Sequence, residues 1–570
     1  MSSILEYIPD WSVFGQALAA LLIAIVVNRL YHKADAFVRR GKAIGKSGKS
    51  GKSGKSDKAG HSRSVLAASG PGAFPKFEPG AVPESEPEPF SGDYESDLQA
   101  ILDSIGRNSD FRFRTFPMAK LNRQAALFWV DGMQNDRILN LQLMQFLMFE
   151  ATIEAMEAPI SPGDVLPFES LARCPERGGF KRCVLFGHAG LLIEGVPYGF
   201  LIQFPDAAGR AVAEPVSEAL LRGPRLGFSE VLSENTSMLR RQGFGTSLEM
   251  INYKVGTRLT KDLVLAYFKD IVNPDLLRDV EDRVSKLDFD FFGESGYVEQ
   301  LIEDNTLSPF QQAQNTERPD RVINALLEGR IAILLDGTPF ALIVPATFSM
   351  LLQSPEDYYE RWLPSSLLRL LRFLAAFMAL MAPALYISLI SFHPGLIPTE
   401  LAISIIETRQ GVPFPSLIEV LILEVSIEIL REAGIRLPKP VGPAMGIVGG
   451  LIIGDAAVQA GIVSPFLVIV VAVTAISSFS IPTYSAGITL RILRFAGMLF
   501  AAILGMFGTI LFFLLLCSHL TKLKSFGVPY VTPISPFRIQ DWKDLFIRAP
   551  LSLMKRRPAM LKPRDNTRRP

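Results

Sequence analysis

The sequence predicts an α/β soluble region of two similar subdomains followed by an all-α polytopic membrane bundle. Three observations carry that prediction. Two apolar runs, AALFWVDGM (Ala125 to Met133) and LVLAYFKDI (Leu263 to Ile271), each precede a glycine hairpin at a similar distance. Helical patterns such as DLLRDVEDRVSKL fill the gaps, so strands and helices alternate within each half. Beyond residue 362 the chain turns into long apolar runs punctuated by Gly and Pro.

Composition excludes several function classes. The 570 residues are 48% hydrophobic with a formal net charge of +1, which gives no global electrostatic case for nucleic acid. The three cysteines, Cys174, Cys183 and Cys517, form neither a metal spacing nor a disulfide framework, and the five histidines are scattered. H-E-x-x-H, G-x-S-x-G and C-x-x-C are absent. The reading predicts no enzyme, no metal and no cofactor.

Residues 1–40 read as a hydrophobic anchor with a basic flank. Glu6 and Asp10 precede the run from Trp11 to Leu30, and Arg29, Lys33, Arg39 and Arg40 close it. A cleaved signal peptide has the opposite polarity, so the rule of positive loops inside places the rest of the soluble region in the cytoplasm. Residues 41–94 read as a disordered linker, first basic and then Pro- and Glu-rich. GKSGKSGKSGKS lacks the G-x-x-x-x-G-K-[ST] register of a phosphate loop, and its lysines suit anionic membrane lipid.

Residues 95–235 and 236–362 are the two α/β subdomains. Downstream of each strand comes a hairpin, LLIEGVPYGFLIQFP or AILLDGTPFALIVPA, turning at Gly195 or Gly337 ahead of Pro197 or Pro339. Between the copies stand Arg222, Arg225, Arg240 and Arg241. They read either as a site for an anion or acidic partner, or as a solvated or interdomain salt-bridge surface.

Residues 363–520 form the transmembrane bundle. Leu367 to Phe392 is the first span. Pro413 to Gly434 is the second, with Glu424, Glu428 and Glu432 on one face and Arg431 beside it. It reads equally as a full span or as a re-entrant helix with internal ion pairs. In the third, Gly442 to Gly461, the glycines Gly442, Gly446, Gly450 and Gly454 recur every fourth residue and make a bare stripe for close helix packing. Opposite lie Val448, Ile452, Asp455 and Gln459, read either as a face whose Asp455 is paired inside the bundle or as the lining of a conduction path. Pro465 to Ile488 is the fourth run, with Pro482 as a kink, and Phe495 to Leu516 the fifth. A basic tail, 521–570, follows. Topology does not close: Arg491 and Arg494 call for the same side as Lys522 and Lys524, which consecutive spans forbid. A re-entrant Glu-rich helix puts the tail inside but leaves Arg491 and Arg494 outside.

RGPRLGF, SPF (Ser308 to Phe310), TERPD, LLEGRIAILLDGTPFALIVPATF and SPEDYYERW closely resemble the A subunit of the GerA-family spore germination receptors. So do SFHPGLIPTEL, GVPFPSLIEVLILEVSIEILREAGIRLPKPVG and SFGVPYVTPISP, and the resemblance covers Asp110 to Pro536. It implies a nutrient germinant receptor of the spore inner membrane. It also implies partners: a transporter-like B subunit, a lipoprotein C subunit, and further copies of the chain forming a ligand-gated channel for monovalent cations. An accessory channel or scaffold resembling SpoVAF is the alternative. The leading hydrophobic run and Asp455 depart from the family pattern.

Overall fold

The structure, a computed structural model, describes residues 88–134, 138–153, 156, 170–203, 214–215, 217–243, 245–436 and 454–568. The anchor and nearly all of the linker, residues 1–87, lie outside them. The sequence predicts a disordered linker over residues 41–94, but its last residues are packed. Phe90 is buried edge-on against Phe180 at 5.7 Å, and Asp93 caps the first helix.

The first subdomain comprises α1 (Tyr94–Ile105), β1 (Phe111–Met118), β2 (Arg123–Val130), β3 (Ser170–Cys174), α2 (Arg177–Leu185), β4 (Ala189–Ile193) and β5 (Gly199–Gln203). The second comprises α3 (Leu232–Arg240), β6 (Leu248–Val255), β7 (Lys261–Phe268), α4 (Pro274–Ser285), α5 (Ser295–Ile302), β8 (Gln314–Thr316), α6 (Pro319–Glu328), β9 (Ile331–Leu335) and β10 (Ala341–Val344). The sheets run β1-β2-β4-β5-β3 and β6-β7-β9-β10-β8, the same order, antiparallel throughout. The duplication extends to single contacts. Arg123 Nη1 donates to the Glu194 carbonyl at 3.2 Å, and Lys261 Nζ donates to the Asp336 carbonyl at 3.0 Å. Each cationic group lies over the turn glycine, Gly195 at φ +75 or Gly337 at φ +83.

Each sheet is covered on both faces, which is why β2 and β7 read as unbroken apolar runs. In β2, Ala125 and Leu127 face the helical segment 138–150, while Ala126 and Phe128 face α1 and α2. In β7, Leu263 and Leu265 face α4 and α5, while Val264 and Ala266 face α3 and α6. Because α3 packs on the second sheet, the boundary expected at 235/236 falls inside this helix.

The helical region holds α7 (Trp362–Ser391), α8 (Thr399–Arg409), α9 (Ser416–Arg436), the helical residues 454–459 (α10), α11 (Pro465–Phe479) and α12 (Tyr484–Lys522). Among the described residues, two helices, α7 and α12, are long and apolar enough to cross a membrane. The structure corrects two expectations here. The run from Pro465 to Ile488 is not one kinked helix: α11 ends at Phe479, and Pro482 lies in the break before α12. The run from Phe495 to Leu516 is not one span either. At Gly505 (φ 60, ψ −139) α12 folds back on itself, bringing Phe500 to 5.8 Å from Phe512. Its arms, about 20 and 17 residues, are about 30 and 25 Å long.

This hairpin resolves the topological conflict. Thr489 near its start donates to the Pro309 carbonyl, and His519 near its end bonds Ser308. Both ends therefore meet the second subdomain, while Gly505 sits against Phe392 at the distal end of α7. Arg491 and Lys522 belong to the same end of the bundle. No re-entrant α9 is needed to bring them there.

The C-terminal tail returns to the α/β region. Tyr530 donates to the Gln311 carbonyl, and Arg557 to that of Leu327. The buried Arg369 of α7 bridges Asp357 and Asp544, tying helix, subdomain and tail at one point.

Candidate functional site: the charged faces of the helical bundle

The acids of α9 are organised by partners from three other elements. Glu419, fully buried, accepts from Arg409 of α8 at 2.6 Å and from the Ser464 backbone at 3.2 Å. One turn and a half on, Glu424 pairs with Arg494 of α12 at 2.9 Å, and both are 1% exposed. Glu428 accepts from Arg494 at 3.1 Å and Arg431 at 2.9 Å, and lies 3.7 Å from Arg491. Glu432 shares their face by spacing, yet it is exposed and, among the described residues, pairs only with Arg436 on its own helix. The spacing of four therefore yields two network carboxylates and one solvated one.

A buried carboxylate is tolerable only when a counter-charge offsets its lost hydration. Arg494 does that for both Glu424 and Glu428, so α9 and the first arm of α12 are held together electrostatically. In the sequence, Arg491 and Arg494 mark a membrane side and Arg409 carries no signal of its own. The signal available was charge complementarity: acids in one apolar run and arginines in another.

Gly442, Gly446, Gly450, Val448 and Ile452 lie outside the described residues. The other members of the two stripes are described. Gly454 is buried, and a side chain there would meet Val468 of α11 at 3.5 Å. Asp455 and Gln459 are exposed, and Gln459 Nε2 donates to Asp455 Oδ2 at 2.7 Å. The glycine side of α10 thus faces its own bundle, and the polar side faces away from it. Asp455 has its hydrogen-bond partner on its own helix.

The four arginines between the subdomains do not form one cluster. Arg240 is buried and joins the two halves: Nη2 reaches Asp110 Oδ1 at 2.8 Å and Asn108 Oδ1 at 3.0 Å. Arg222 and Arg225 form exposed pairs with Glu360 at 3.5 Å and Glu214 at 3.1 Å. Arg241 is exposed, with no side-chain partner among the described residues. Among the described residues, no group of His, Cys, Asp and Glu is arranged to hold a metal.

Comparison with known proteins adds a second line. The sequence pattern of the family described as "Bacillus/Clostridium GerA spore germination protein" matches residues 99–560. The chain is 42% identical over 476 residues to spore germination protein GerLA of Bacillus cereus, covering 83% of this chain and 96% of that one. It is 42% identical over 482 residues to spore germination protein B1 of Bacillus subtilis (strain 168), covering 84% and 99%. The crystal structure of the N-terminal domain of the A subunit of the Bacillus megaterium spore germinant receptor GerK3 aligns with 46% of this chain and 99% of its own, at 25% identity and a TM-score of 0.34.

Proposed function

The chain belongs to the Bacillus/Clostridium GerA family of spore germination proteins, and from that premise we propose that it is the A subunit of a nutrient germinant receptor whose copies assemble into a cation channel in the spore inner membrane. The observation that carries the channel reading is the outward, exposed Asp455–Gln459 pair on a helix whose Gly454 side is packed inward. In a closed ring of subunits each such position becomes a ring of side chains. A ring of carboxylates favours cations, and the apolar Val448 and Ile452 of the same stripe would form a constriction that blocks ions by dewetting.

In this reading the α/β region is cytoplasmic and works the bundle through two contacts. Residues 308 and 309 hold both ends of the α12 hairpin, and Arg369 ties α7 to Asp357 and Asp544. The α9–α12 ion pairs keep the bundle rigid while the subdomains move. Nutrient sensing belongs to a transporter-like B subunit and support to a lipoprotein C subunit; this chain performs no catalysis. The test is reconstitution in potassium-loaded liposomes with and without B and C subunits. A large homo-oligomer and nutrient-triggered potassium release are expected with all three. A monomeric A subunit, or release that is the same when A is omitted, would overturn the proposal.

A further inference from the structure

The region around the C-terminal tail carries a feature that does not depend on the channel reading. A cavity of about 430 Å³ opens between the second subdomain and the C-terminal tail. That volume is within the range of small-ligand sites. Its wall on the subdomain side comes from Arg330, Thr347 and Ser349, and its wall on the tail side from Lys543, Lys555 and Arg556.

The charges of this cavity do not cancel. Six lining cations face three carboxylates, Glu328, Asp541 and Asp544. Each carboxylate is already engaged. Asp541 accepts from the backbone N–H groups of Ala559 and Met560 at 2.9 and 3.2 Å. Asp544 accepts from Arg369 at 2.7 Å and from the Tyr358 hydroxyl at 2.6 Å. Glu328 lies 3.4 Å from the buried Arg330, which also donates to the Pro345 carbonyl. The acids therefore face inward and serve the fold. Lys543, Lys555 and Arg556 are exposed at the mouth, and their side chains make no hydrogen bond or ion pair among the described residues.

Three unpaired cations around a concave, partly apolar pocket form a site for a multiply charged anion. We infer that this cavity binds a phosphate-bearing anion, its phosphate held by Lys543, Lys555 and Arg556 and its organic body resting on Met350, Leu545 and Met554. Phosphate fits better than a single carboxylate because three unpaired cations lining one cavity match its charge and its several acceptor oxygens. The same chemistry is carried by a soluble phosphate ester and by an acidic phospholipid headgroup. Asp544 belongs both to the cavity and to the Arg369 junction at the start of α7. An occupied site would therefore fix the tail against the helix that leaves the α/β region.

The experiment uses the full chain. In detergent, glycerol 3-phosphate is titrated calorimetrically into wild type, into Lys555→Ala/Arg556→Ala, and into Lys120→Ala/Lys254→Ala as an exposed, charge-matched control. In parallel, native mass spectrometry from nanodiscs compares retention of phosphatidylglycerol with that of phosphatidylcholine. Saturable glycerol 3-phosphate binding, weakened at least tenfold in the double variant and unchanged in the control, supports the site with a soluble ligand. Preferential retention of phosphatidylglycerol, lost in the double variant without glycerol 3-phosphate binding, supports it with a lipid headgroup. Absence of both, or binding to which the double variant is indifferent, overturns the inference. The mutated side chains are exposed, so the variant is expected to keep the wild-type melting temperature. Lys543→Ala provides an independent repeat.

Discussion

Arg240 and Arg241 are neighbours in sequence and opposites in environment. Arg240 is buried against Asp110 and Asn108 of the other subdomain, whereas Arg241 is exposed. Removing one member of a buried pair leaves a bare charge, so Arg240→Ala should cost about 3–5 kcal/mol. Arg241→Ala should stay within about 0.5 kcal/mol. Denaturant midpoints of the two variants check this contrast. Sequence alone grouped these residues because it shows composition and not direction. A single helical step of about 100° separates an interdomain bond from solvent.

A second prediction at this scale concerns Glu299 of α5. Burial, and then the nearby Glu303 and Glu294 carboxylates, push its pKa from the ordinary 4.5 up to about 8. Its folded-state pKa is therefore raised, and the folded chain holds a proton that the unfolded chain releases. The resulting stability is fully present below pH 4.5 and is lost as the pH rises to about 8. Glu299→Gln should remove this loss. Its melting temperature should exceed that of wild type at pH 8.5 and converge with it at acidic pH. A constant difference across the range would refute the assignment.

Among the elements, the α12 hairpin is the least legible in the sequence. Hydropathy saw one apolar stretch around Phe495 to Leu516 and no break, because a single glycine leaves no gap in an apolar run. Gly505 adopts φ 60 and ψ −139, a conformation open to glycine alone, and a Cβ there would meet Phe392 Cγ at 2.8 Å. Gly505→Ala should cost about 1–3 kcal/mol or more and separate the arms. Gly487→Ala is the control, because that glycine is helical and has nothing within 4 Å of its Cβ position. Melting of both variants in mild detergent measures the difference. The charge rule had carried the right information: Arg491 and Lys522 did ask for the same side, and the fold grants it through a turn that periodicity does not register. The α9 acids were legible as a stripe. Their partners were not, because pairing across elements requires knowing which helices touch.

At the level of the whole molecule, the duplication was legible for physical reasons. Strands buried on both faces must be continuously apolar, and a tight turn needs a residue that accepts positive φ. Ala125 to Val130 with Gly195, and Leu263 to Phe268 with Gly337, satisfy both demands twice over. The helical packing around the sheets was less legible, as the segment 138–150 shows, because its covering role depends on the opposite face of the sheet. Of the two-sided helix around Gly454 and Asp455, sequence showed the stripes without saying which faced the bundle. Gly454 packs against α11, and Asp455 is exposed.

The proposed channel requires that outward face to be the cation path. Asp455→Asn keeps the shape of the side chain and its hydrogen bond to Gln459 while removing the charge. The decisive measurement is cation-over-anion selectivity of the reconstituted receptor carrying Asp455→Asn, taken from the reversal potential, with oligomer size determined on the same preparation. The expected result is an oligomer of wild-type size whose preference for cations is markedly reduced. An intact oligomer with unchanged selectivity would contradict it.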